Sequence, residues 1–288
     1  MASHEHYYVP AQSKWPIIAT VGMFITVFGL GTWFNDMKAG HPDSHGPLIF
    51  FVGALCLAYM LFGWFGAVVK ESRGGLYSPQ LDRSFRWGMS WFIFSEVMFF
   101  AAFFGALFYL RVLSVPWLGS GDTLEQLWPG FQAKWPVSGP GIEEAFEPMA
   151  PWGIPALNTL ILLSSGATVT WAHWGLKKNN RRQLNIGMFL TIALGCLFLF
   201  LQAYEYHHAY TEMGLTLGAG AYGATFFMLT GFHGFHVTLG TIMLIVIYIR
   251  CLRGDFKPDH HFAFEGVSWY WHFVDVVWLL LFVLVYWL

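Results

Sequence analysis

Seven stretches of this chain are long and apolar enough to cross a bilayer: residues 15–34, 47–69, 87–110, 154–176, 184–207, 222–249 and 262–288. Backbone embedded in lipid must satisfy its own hydrogen bonds, and a helix does so in roughly 20 mainly apolar residues. The charge between the stretches is equally constraining. Twelve of the fifteen Lys and Arg residues precede the first stretch or fall in alternate gaps. They are Lys14, then Lys70, Arg73, Arg83 and Arg86, then Lys177, Lys178, Arg181 and Arg182, and finally Arg250, Arg253 and Lys257. Only Lys38, Arg111 and Lys134 occupy the other gaps. Basic connections stay on the cytoplasmic side, so the amino terminus is expected inside and the carboxyl terminus outside. The expected fold class is all-α, one polytopic membrane domain over 1–288. A soluble reading would require seven helices apolar on every face within one domain.

Only 11% of the residues are charged and 56% are hydrophobic, whereas soluble domains carry about 25% charged residues. The net charge of −2 identifies no partner, and no nucleic acid is expected. Residues 1–14, with Tyr7, Tyr8 and Pro10, lack the basic, short-apolar and small-residue order of a cleaved signal. Cys56, Cys196 and Cys251 have no disulfide or metal-binding spacing.

Most gaps are short, which makes neighbouring helices antiparallel. The exception is 111–153, an expected outer loop. It holds Pro116, Pro129, Pro136, Pro140, Pro148 and Pro151, and the acids Asp122, Glu125, Glu143, Glu144 and Glu147. Its Trp117, Trp128, Trp135 and Trp152 suit a membrane surface. An ordinary external loop and a functional one are equally compatible with this composition. Residues 71–86 read as an inner connection between helices one and two (1–70) and helices three to seven (87–288). Gly22, Gly29 and Gly31, and Gly231, Gly234 and Gly240, are places where helix backbones can approach closely in lipid.

Glu96 is the sharpest local signal, an acid among Phe, Ile, Val, Met and Ala. Intramembrane acids are costly, and two readings stand: a proton or headgroup site, or a protonated carboxyl bonded to a neighbouring helix. His233 and His236 share one face of the sixth stretch. Without a carboxylate in the same turns or an HExxH pattern, structural hydrogen bonding is the favoured reading and no metal is expected. His272 and Asp275 repeat that spacing and read as a buried structural pair. His207 and His208, beside Glu205, read as interfacial, and His260 and His261 as the inner end of the last helix. No phosphate loop, nucleophile elbow, haem-attaching CxxCH or cysteine cluster occurs, so no catalytic or cofactor-binding residue is expected.

Five segments carry a resemblance: RWGMSWFIFSEVMFF at 86–100, WAHWGL at 171–176, LQAYEY at 201–206, YGATFFMLTGFHGFHVTLG at 222–240 and HHFAFEGVSWYWHFVDVVW at 260–278. The chain resembles subunit III of the haem–copper cytochrome c oxidases, bacterial and mitochondrial type, over nearly its whole length. The last two segments are the most specific.

The resemblance implies seven helices in a two-plus-five arrangement with a lipid-holding cleft. It also implies a non-catalytic subunit of the proton-pumping oxidase of aerobic respiration. Such a subunit packs on catalytic subunit I, with subunit II in the same complex and cytochrome c as electron donor. Haem and copper would sit in the partners, and this chain would hold phospholipid, support proton uptake and protect the redox subunit. Residue by residue, Glu96 resembles the family's buried acid of the third helix, and Phe92 a lipid-contacting aromatic one turn earlier. Trp64 and Phe65 resemble aromatic positions of the second helix, and Arg250 a basic residue that meets a headgroup. Gly66 and Ala67 depart from relatives with basic residues there, and the loop after Arg111 is longer than in some. The expected location is a bacterial inner membrane, with the mitochondrial inner membrane as alternative. Subunit III of a quinol oxidase is a neighbouring reading, though those chains commonly keep only the five later helices. An independent seven-helix transporter or receptor is a reading of another class, and Glu96 and Asp275 give it few intramembrane charges to work with.

Overall fold

The computed structural model describes residues 8–9, 11–41, 43–142 and 146–288, with the side chains of Thr123 and Glu125 left aside. Tyr7, Pro10, Glu143 and Glu144 therefore lie outside the described residues. Among the described residues, seven helices are long and apolar enough to span a membrane: α1 Trp15–Ala39, α2 Gly46–Arg73, α3 Pro79–Leu118, α4 Ile154–Lys177, α5 Arg181–Thr211, α6 Gly220–Leu252 and α7 Phe262–Trp287. Among the described residues there is no strand, only one isolated bridge between Lys257 and His260.

The helices overrun the apolar stretches. Lys70 and Arg73 close α2, and Arg83 and Arg86 lie on α3, so the expected connection 71–86 shrinks to a short turn around Gly74 and Gly75. Composition marks where lipid stops, but backbone hydrogen bonding continues until a cap or a breaker intervenes. Gly40, at φ +71°, ends α1 in the left-handed region. The Asn180 side chain accepts the Gln183 N–H and starts α5. α3 also continues past Arg111 through a wide π-type turn at Tyr109–Ser114, which moves the start of the long loop to Gly119.

Two compact units divide the chain, Met1–Ser84 and Phe85–Leu288. The first holds the α1–α2 pair. There a Cβ on Gly29 would run into the backbone of Phe50, so only glycine allows that approach. Gly31, by contrast, meets open space.

The second unit packs α4, α5, α6 and α7 around Trp271, Trp278, Phe198, Phe226 and Phe264, all fully buried. Apolar burial alone does not drive helix association in lipid, so direct packing and polar bridges carry more of it. Trp271 Nε1 donates to Ser165 Oγ at 2.9 Å and Trp278 Nε1 to Thr159 Oγ1 at 2.9 Å. The hydroxyls of Thr168 and Thr191 meet at 2.8 Å, and those of Tyr206 and Thr230 at 2.6 Å. α3 joins this unit through rings, Phe99 on Phe232 at 5.0 Å and Phe100 on Phe273 at 6.1 Å.

The long loop docks rather than trails. Ala221 and Tyr222 donate backbone N–H groups to Ser138 and Val137, and Phe146 stacks on Tyr222. Trp135 is drawn onto Tyr222, whereas Trp117 and Trp152 remain exposed.

Candidate functional site

Glu96 sits midway along α3, and its chemistry is set by α6. One carboxylate oxygen lies 2.8 Å from Nε2 of His236, with the side chains 22% and 8% exposed. Nδ1 of the same ring lies 2.6 Å from the carbonyl of Phe232, one turn back. A carbonyl only accepts, so Nδ1 carries a proton. Nε2 and the carboxylate then share one further proton. Whichever group holds it, the pair is neutral overall, which suits its surroundings. Phe99, Phe100, Phe235, Tyr270 and Phe273 ring the imidazole at 5.0–6.3 Å. Phe92, one turn before Glu96, stacks on Tyr270 at 6.2 Å and is half exposed. Glu96, Phe92 and His236 thus form one constellation, which local spacing could not reveal because its halves lie 140 residues apart.

The other expected site residues lie elsewhere. His233 is buried, its Nε2 3.2 Å from the Val274 carbonyl and its ring against Phe198 and Trp278. It shares a helix face with His236 but not a ligand point. His272 and Asp275 approach at 3.6 Å, but the histidine side chain is 45% exposed and the aspartate 8%. The pair therefore straddles the surface instead of lying buried, with Thr170 Oγ1 3.2 Å from the other ring nitrogen. Arg250 is buried at the end of α6. Its Nε donates to Asp255 at 3.2 Å and its guanidinium covers the Phe256 ring at 4.5 Å. A headgroup there would share the guanidinium with Asp255. Trp64 and Phe65 stack on each other at 5.3 Å on the exposed side of α2.

Two clusters escaped the sequence reading. Glu205 is buried and accepts the Tyr286 hydroxyl at 2.7 Å, although His207, two residues on, faces outward. A step of two residues turns a helix by about 200°, so neighbours in sequence need not share an environment. His173, His261 and Glu265 converge at the basic end of α4 and α7.

Seven helices long and apolar enough to cross a membrane, with an acid on one matched to a histidine on another, define an integral membrane protein of the polytopic α-helical class. Comparison with known proteins gives the family. The profile of cytochrome c oxidase subunit III matches residues 4–288. Cytochrome c oxidase subunit 3 of Dugong dugon is 39% identical over 282 residues, covering 98% of this chain and 96% of the relative. That of Drosophila melanogaster is 39% identical over 290 positions, covering 100% and 99%, and that of Struthio camelus is 39% identical over 289, also covering 100% and 99%. The chain belongs to the cytochrome c oxidase subunit III family, and with it to a membrane-embedded respiratory complex.

Proposed function

We propose that this chain serves the oxygen-reducing, proton-translocating oxidase without a redox centre of its own. It packs on catalytic subunit I beside subunit II, in a complex that takes electrons from cytochrome c. It holds phospholipid, supports proton uptake and prolongs the life of the catalytic subunit, where the haems and copper reside. The amino terminus faces inside, in a bacterial inner membrane, with the mitochondrial inner membrane as alternative.

The observation that carries this reading is the Glu96–His236 pair. A neutral pair sharing a proton in an aromatic shell suits a subunit that conditions its neighbour, and offers no nucleophile or electron carrier. Phe92, Trp64 and Phe65 present half-exposed rings suited to acyl chains, and Arg250 adds a cation at the basic end of α6 that suits phosphate.

The test is to prepare the oxidase with and without this chain and follow turnover with reduced cytochrome c. Loss of the chain should slow proton uptake and shorten catalytic life while leaving haem content unchanged. Equal proton uptake and equal lifetime would reject the supporting role. Oxidation of ubiquinol in place of cytochrome c would reject the assigned donor.

A further inference from the structure

We propose that His173, His261 and Glu265 form a three-ligand site for a divalent transition metal of the zinc class, clipping the end of α4 to the start of α7. Nε2 of His173 and Nε2 of His261 lie 3.1 Å apart. Oε1 of Glu265 lies 3.4 Å from the first and 3.2 Å from the second. Zinc binds imidazole nitrogen and carboxylate oxygen at about 2.0–2.2 Å in tetrahedral geometry, so its ligand atoms stand about 3.3 Å apart. All three edges of this triangle match that spacing.

The proton inventory points the same way. Nδ1 of His261 donates to the Lys257 carbonyl at 3.1 Å, which leaves a lone pair on Nε2 of the neutral ring. His173 has one Nε2 proton at most in its neutral form, enough for one of its two contacts. Without an added proton, the contact between His261 Nε2 and Glu265 Oε1 sets two lone pairs against each other; a proton there, like the one shared by Glu96 and His236, would satisfy that contact alone. A cation at the centre answers all three. The Lys257 carbonyl is also the kind of outer partner that fixes the tautomer of a ligating histidine.

Arg86 pairs with the other carboxylate oxygen, Oε2, which leaves Oε1 as a single donor. Lys177, one turn beyond His173 on α4, adds further positive charge nearby. Both oppose a metal held by charge alone. Two imidazoles therefore select a borderline-soft ion such as zinc over magnesium or calcium. Three protein ligands leave a fourth position for water, and the side chains are 18%, 7% and 11% exposed, within reach of solvent ions.

The assembled oxidase, stripped with a chelator and dialysed against zinc chloride, provides the test. Elemental analysis should find one zinc more per complex in the wild type than in His173→Gln or His261→Gln. Equal zinc in all three overturns the site. Should the variants fail to assemble, amide exchange in the wild type decides. Zinc, but not magnesium, should slow exchange in the first turn of α7, around Phe264 and Glu265. Exchange unaltered by zinc overturns the proposal, and a change seen equally with magnesium does the same.

Discussion

Nε2 of His236 and a carboxylate oxygen of Glu96 stand 2.8 Å apart, joining α6 to α3 beside the Phe99–Phe232 ring contact. This bond adds a directional contact to an interface otherwise built partly on ring packing. Glu96→Gln retains a donor for Nε2, so haem content should stay intact and thermal stability should fall by less than about 1 kcal/mol. His236→Leu leaves the carboxyl without that partner and should cost about 1–3 kcal/mol. Thermal release of the chain from the complex measures both. Haem loss in Glu96→Gln would contradict the assignment.

Two of the glycines of α6, Gly240 and Gly234, should respond in opposite ways. A Cβ on Gly240 would lie 2.8 Å from the Trp271 ring, whereas one on Gly234 meets nothing. Trp271 is fully buried and cannot swing away. Gly240→Ala should destabilise the bundle by about 1–3 kcal/mol. Gly234→Ala should be neutral or slightly stabilising, since alanine is the better helix former. Thermal unfolding in detergent would separate them.

Arg250→Ala removes both a partner of Asp255 and the cation over Phe256. Bound phospholipid should fall and catalytic life should shorten, read by mass spectrometry and by turnover to inactivation. Arg250→Lys should restore lipid less than fully, because an ammonium lacks the planar fork. Unchanged lipid in Arg250→Ala would reject the headgroup role and leave the arginine as Asp255's counter-ion alone.

Orientation has its own test. Single cysteines placed in the outer loop near Gly130 and in the turn at Lys178 should label from opposite sides of sealed vesicles. Labelling of both from one side would overturn the assignment of the termini.

The seven spans were legible because lipid imposes a composition on every residue it touches. Their ends were not, since Lys70, Arg73, Arg83 and Arg86 are polar yet remain helical. Glu96 stood out as an acid in an apolar run, but its partner lies on another helix and periodicity within one helix says nothing of it. His261 and Glu265 are four residues apart and visible as a pair. His173 lies 88 positions before His261, so the cluster exists only once α4 and α7 are side by side. The HFAFEGVSWYWHF segment carried the family resemblance without revealing which of its polar residues meet.

α3 has one more consequence. Its 40 residues make a rod about 60 Å long, whereas the oil layer of a bilayer is about 30 Å thick. Even leaning by 40° it would rise about 46 Å. Some turns must therefore always stand in headgroups or water. Passing from a thin bilayer to a thick one would shift the exit point along the rod without breaking its backbone bonds, which predisposes this helix to tolerate membranes of differing depth.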